Sequence, residues 1–183
     1  MKKILYTLSI VAFLTSCGET KPTEKILKER FEKHKALYDS AKDMEEMSVA
    51  VDSVLAAVSI YEKNYPESNA LNQMYFFAGK TCQQKRESEK AIEYYEKASD
   101  VKYDGVDGSK QAEALYSIGR VYQELLIDTK SARTAYREVV KRFPESVWAN
   151  IAKESLEELG ELNSQLTNEI PAESAVDTTG SVE

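Results

Sequence analysis

Residues 72–105 read NQMYFFAGKTCQQKRESEKAIEYYEKASDVKYDG, and this stretch decides the fold. It divides into two helical segments joined by a polar turn. Gly79 and Cys82 lie in the first, and Ala91, Tyr95 and Ala98 in the second. The steps from Tyr75 through Ala78 and Gly79 to Cys82, and from Ala91 through Tyr95 to Ala98, put each set on one face of a helix. Gly79 and Ala91 carry little or no side chain, so the two helices can approach closely there. Tyr75 and Tyr95 then fill the space on either side. One hairpin of this kind cannot bury its apolar face alone, so neighbours must stack on it.

The pattern returns forty positions later, where Leu115, Ile118, Gly119 and Tyr122 restate Tyr75, Ala78, Gly79 and Cys82. Ala132, Tyr136, Val139 and Pro144 complete the second copy with a displacement of one residue, so the turn at Ile127-Asp128-Thr129-Lys130 must hold one extra. Asp128 is placed to cap the helix that follows. Tyr65-Pro66-Glu67-Ser68 recurs as Phe143-Pro144-Glu145-Ser146; in both, the proline stops one helix and the serine can cap the next. This spacing resembles that of the tetratricopeptide repeat, W-x2-L-G-x2-Y followed by A-x3-F. The resemblance implies an all-α solenoid of about three helical hairpins with a C-terminal capping helix, over residues 23–160.

The start of the chain is of another kind. Residues 1–17, MKKILYTLSIVAFLTSC, combine two lysines, an apolar run too short to span a bilayer, and Leu14-Thr15-Ser16-Cys17. They resemble the signal and lipobox of bacterial lipoproteins. That implies acyl chains on Cys17, and several chains hold where a single one is marginal. Residues 18–22 then read as a tether. A long amphipathic helix is expected from Thr23 to about Met47, with Thr23 as its cap. Leu27, Phe31, His34, Tyr38 and Ala41 form a heptad-like seam that suits a coiled coil or the first helix of a degenerate repeat. Ser48 to Tyr65 is its expected partner, with Val51, Val54, Leu55, Val58 and Tyr61 inward. Ser146 to about Leu159 reads as the capping helix, with Gly160 as its stop, and 161–183 as a disordered polar tail.

Composition narrows the function. Lys2 and Lys3 fall in the segment expected to be removed, so 22 of the 24 basic residues remain against 31 acidic ones. An acidic chain is a poor match for nucleic acid. With one histidine, His34, and two cysteines, Cys17 and Cys82, a His/Cys metal site or a Cys/His catalytic pair is nearly excluded by inventory. Asp104-Gly105 and Asp107-Gly108 are turn dipeptides that do not meet the EF-hand spacing. No phosphate-binding loop occurs and no cofactor is implied. Cys82, at the position of Tyr122, reads as a packed residue, with no nearby histidine or helix N-terminus to activate its thiol.

What remains is a binding surface. In tetratricopeptide folds the first helix of each repeat lines the concave face. Lys80 follows Gly79 and Arg120 follows Gly119, so a cation recurs. Phe76 and Tyr116 stand three positions before each glycine, and Gln83 and Gln123 one turn beyond the cations. The spacing puts Phe76, Lys80 and Gln83 on one stripe, and Tyr116, Arg120 and Gln123 on the matching one. A cation flanked by an aromatic and an amide suits a carboxylate on an extended peptide; the alternative is that Lys80 and Arg120 are solvated surface residues. The lipobox, the repeats and the YPES and FPES phrases together are similar to two families of envelope proteins: the repeat lipoprotein of the outer-membrane barrel-assembly machinery and the Tol-Pal-associated periplasmic repeat protein. The resemblance implies a non-catalytic adaptor or scaffold anchored in the outer membrane, facing the periplasm. A self-associating structural lipoprotein, or a non-catalytic subunit of an envelope enzyme, stands as the alternative.

Overall fold

The computed structural model describes residues 21–100 and 108–169, with side chains as far as Gly160. Among the described residues there are seven α-helices and no strands: α1 (Glu24–Ser40), α2 (Met44–Asn64), α3 (Ala70–Gln84), α4 (Ser88–Ala98), α5 (Gly108–Glu124), α6 (Thr129–Arg142) and α7 (Val147–Glu169). Consecutive helices pair as α1–α2, α3–α4 and α5–α6, and α7 packs on the last pair. The architecture is a helical-repeat solenoid of three hairpins closed by a seventh helix. Cys17 and most of the tether lie outside the described residues, as do residues 101–107 and the tail beyond Glu169.

Local chemistry starts several of the helices. Thr23 Oγ1 accepts from the Ile26 amide at 3.4 Å, and Asp128 Oδ1 accepts from the amides of Lys130 and Ser131 at 3.1 and 3.0 Å. The Ser146 hydroxyl accepts from the Ala149 amide at 3.1 Å. The equivalent Ser68 hydroxyl accepts from Ala70 at 3.4 Å. The loop between α3 and α4 holds residues 85–87, and that between α5 and α6 holds 125–128, which is the extra residue the displaced repeat requires. Each loop turns through one residue in the left-handed region, Arg86 at φ 62° and Ile127 at φ 54°.

The glycines act by close approach. A Cβ on Gly79 would stand 2.7 Å from Tyr95 Cδ1, and one on Gly119 would run still deeper into the ring of Tyr136. Real Cβ atoms do not approach that closely, so the tyrosine ring occupies the volume glycine leaves free. Tyr95 and Tyr136 are buried, as are Ala91, Ala98, Ala132 and Val139 around them.

Three expected boundaries are corrected. The first helix does not run to Met47: it ends at Ser40, Ala41 is extended, and α2 starts at Met44. Asp43 causes the break. Its carboxylate accepts from the Glu46 amide at 2.8 Å, while Glu46 Oε2 accepts from the Lys42 amide at 2.9 Å. Those bonds offer the backbone a start that competes with continuing the helix. The heptad-like seam is used inside the domain, as the degenerate-repeat reading requires. Leu27, Phe31 and Tyr38 are buried, and Phe31 and Tyr38 meet Phe77 of α3 edge-on at 5.9 and 5.6 Å. Finally, Gly160 does not end α7, which continues to Glu169. A glycine stops a helix when it turns left-handed, and Gly160 does not.

Candidate functional site

The two stripes expected to line the groove lie on α3 and α5, and the structure treats their members unequally. Lys80 and Arg120 are exposed, whereas Phe76, Gln83, Tyr116 and Gln123 are half-buried. The amides turn toward the neighbouring helix. Tyr95 Oη donates to Gln83 Oε1 at 2.8 Å, and Tyr136 Oη donates to Gln123 Oε1 at 2.8 Å. The aromatics meet the same tyrosines: Phe76 and Tyr95 have ring centroids 5.7 Å apart, and Tyr116 and Tyr136 5.1 Å. Each repeat therefore holds one module, in which a tyrosine fills the glycine's space, an aromatic leans on its ring and a glutamine accepts its hydroxyl.

The reason lies in the hydroxyl. The repeat pattern calls for phenylalanine where Tyr95 and Tyr136 stand, and a buried phenol needs an acceptor. Burial pushes both phenols well above the ordinary tyrosine range, so they remain neutral donors. The recurrence of Gln83 with Tyr95, and of Gln123 with Tyr136, was the sequence signal for this role. Cys82 is buried, and burial raises its thiol to about 11, which keeps it protonated at neutral pH.

The cations differ from one another. Arg120 is already engaged on its own helix, with Nη2 2.6 Å and Nε 2.8 Å from Glu124 Oε1. Lys80 makes no ion pair with any described residue. Tyr116 is tied sideways to α7, its ring 5.3 Å from that of Trp148 and its hydroxyl 3.2 Å from Ser155 Oγ. Phe76 is overlain by Lys110 Nζ, 5.5 Å from its centroid, and that lysine pairs with Glu113 at 2.9 Å. Among the described residues no cluster of His, Cys, Asp or Glu is arranged to hold a metal ion.

A second cluster secures the start of the fold. Glu24 Oε1 accepts from Tyr61 Oη at 2.5 Å and Ser68 Oγ at 2.7 Å, and pairs with Lys28 at 2.9 Å. The hydrogen bond from Tyr61, then those from Lys28 and Ser68, lower the Glu24 carboxyl to about 2. Tyr65 Oη donates to the Pro22 carbonyl at 2.8 Å, and Lys21 Nζ stands 4.2 Å over the Tyr65 ring. Lys21 and Pro22 are thus fastened to the turn between α2 and α3. Among the described residues no helix is long and apolar enough to cross a membrane.

Comparison with known families agrees with this geometry. Two models of the tetratricopeptide repeat match residues 73–104 and 113–146, the α3–α4 and α5–α6 hairpins. A model of the prokaryotic membrane lipoprotein lipid attachment site matches residues 1–17, ending on Cys17. No curated protein matches the chain. The protein thus carries tetratricopeptide repeats behind a prokaryotic lipid attachment site, which joins a surface suited to protein partners to a membrane anchor.

Proposed function

We propose that the protein is a non-catalytic scaffold or adaptor of the cell envelope, held by the lipid on Cys17, which docks a protein partner across the face of α3 and α5 that presents Lys80 and Arg120. Lys80 is the observation that carries this reading. It is an exposed cation on the first helix of a repeat, without an ion pair among the described residues, beside an aromatic and an amide that are both held in place. A fixed surround lowers the ordering cost of binding, and an unpaired ammonium suits a carboxylate. The partner that fits is an acidic or C-terminal peptide segment of another envelope protein. The residue after Cys17 is glycine rather than aspartate, which favours the outer membrane and a part in its assembly or maintenance.

Charge reversal tests the reading. Lys80→Glu combined with Arg120→Glu should abolish cross-linking to the partner in intact envelopes, with helicity and melting unchanged. The pair lost at Arg120 is exposed and contributes little to stability. Capture of the same partners at the same yield would sink the assignment. Lys80→Glu alone should have the larger effect of the two single changes, because Arg120 already carries a carboxylate.

A further inference from the structure

Among the described residues, the first hairpin has one side on which no other hairpin is stacked. Lys35 Nζ lies 5.6 Å over the Phe77 ring of α3, and Glu62 pairs with Lys97 of α4 at 3.7 Å, so those flanks of α1 and α2 face the next hairpin. The opposite flank of α1 carries Ile26, Arg30, Lys33 and Leu37, and that of α2 carries Val49, Ser53, Ala56 and Ile60. Each set steps by four, three and four, which keeps it on one side of its helix. Leu37 of α1 and Val49 of α2 line one cleft of about 840 Å³ together with Lys42, Asp43, Glu45 and Glu46 at the turn between the helices, so the two stripes lie on the same side of the hairpin. Ile26, Leu37, Val49 and Ile60 are 49, 50, 64 and 37% exposed. Single exposed apolar residues are ordinary, but four large ones gathered on one side of a hairpin mark a contact.

The chain's own geometry indicates what covers it. Lys21 and Pro22 are fastened to Tyr65, at the end of this same hairpin. Residues 18–20 alone separate Cys17 from Lys21, and four residue steps span at most about 14 Å. A helix of 21 residues such as α2 is about 31 Å long. The anchor point therefore lies within half a helix length of the hairpin's end. The face carries apolar residues toward both ends with Arg30 and Lys33 between them, where phosphates would lie, and its acidic residues Asp43, Glu45 and Glu46 are confined to the turn between α1 and α2, at the end away from the tether. A second copy fits less well. One hairpin face offers roughly 500 Å², below the roughly 800 Å² per partner of a stable interface.

We propose that this outward face of α1 and α2 lies on the surface of the membrane that holds the acyl chains of Cys17, so that the solenoid stands on its first hairpin with α7 directed away. The proposal rests on the anchored reading above. The test uses the full lipidated chain in vesicles of phosphatidylethanolamine with a minority of phosphatidylglycerol. A fluorophore is placed at Ala56→Cys on the face, Glu67→Cys beside the tether or Lys153→Cys on α7, and quenched by nitroxide-bearing headgroups. Buried Cys82 and acylated Cys17 stay unlabelled. The Ala56 label should be quenched several-fold more than the Lys153 label. Leu37→Glu with Val49→Glu should remove that difference while the protein still floats with the vesicles.

Quenching at Glu67 with none at Ala56 would overturn the proposal in favour of an end-on arrangement. A Cys17→Ala form that sediments as a dimer, and reverts to monomer on Leu37→Glu with Val49→Glu, would overturn it in favour of a second copy. If the unaltered protein fails to float, the anchored reading falls together with the proposal. If it floats and the Ala56 label is no more quenched than the Lys153 label, the face assignment falls alone. The reversal at Lys80 and Arg120 should leave all of these signals unchanged, which separates this surface from the partner stripe.

Discussion

The first hairpin and the two that follow it each bury a tyrosine at their helix crossing and satisfy its hydroxyl differently. In α3–α4 and α5–α6 the phenol sits against a glycine and donates to a neutral amide, Gln83 or Gln123. In α1–α2 no glycine is present, and the core is built from Val51, Val54, Ala57 and Val58 against Leu27 and Phe31. Its Tyr61 donates instead to a carboxylate, Glu24, which Lys28 and Ser68 also hold. A buried phenol thus needs an acceptor in every hairpin, and only in the first is that acceptor itself a titrating group.

The comparison breaks most visibly at the glycines. Gly79→Leu and Gly119→Leu should each cost about 3 kcal/mol or more, because the new side chain must displace a fully packed ring. Gly119→Leu should be the worse of the two, since its Cβ would penetrate the ring further. Urea midpoints measure this, and an unchanged midpoint in either variant would mean that the register of that repeat is misread.

The acceptors come next. Gln123→Leu should destabilise by about 1–3 kcal/mol, because it removes the amide that accepts from the Tyr136 hydroxyl and leaves Ser155 as its neighbour. Tyr136→Phe alone should cost only about 1 kcal/mol, and Gln123→Leu with Tyr136→Phe should be milder than the sum of the two. Strict additivity in that double-mutant cycle would show that the hydrogen bond does not join the helices.

The smallest effect sharpens the contrast between hairpins. The Glu24 carboxyl is held at about 2 against an ordinary 4.5, chiefly by the Tyr61 hydroxyl. A carboxyl lowered by folding adds stability above its unfolded pKa and loses it as pH falls through the folded one. The contribution of Glu24 is therefore complete above about 4.5 and disappears toward about 2. Glu24→Gln should lower the melting temperature modestly at pH 7 and flatten its decline between those values. Gln83→Leu should shift the whole curve without changing its shape. An identical acid profile in Glu24→Gln and the parent would remove Glu24 from the account.

Much of this was legible in the chain. The steps around Gly79 and Gly119 are set by the helical period, so they locate two hairpins with no tertiary information. Thr23, Asp128 and Ser146 act on backbone groups within three residues, and their capping bonds follow from local chemistry. The break at Asp43 was harder to see. Ser40-Ala41-Lys42-Asp43 contains no proline or glycine, and the apolar period continues past it to Met47. Gly160 misled in the opposite sense, because a glycine permits a helix to end without requiring it.

The sequence by itself determined the repeat spacing, the loop that carries one extra residue, the burial of Cys82 and the lipid attachment site. Each depends on residues within a few turns of one another or on a linear signal. The tertiary structure alone decided what the stripe residues do. A polar residue on a helix faces solvent or a buried hydroxyl according to what the neighbouring helix presents, and Gln83 and Gln123 meet tyrosines 12 and 13 residues away across a turn. It also decided that, among the described residues, Arg120 is paired while Lys80 is not, and that Ile26, Leu37, Val49 and Ile60 are left exposed on one side of the first hairpin. Exposure belongs to the stacked arrangement: the same period that buries one side of a helix leaves the other to whatever neighbour the fold supplies.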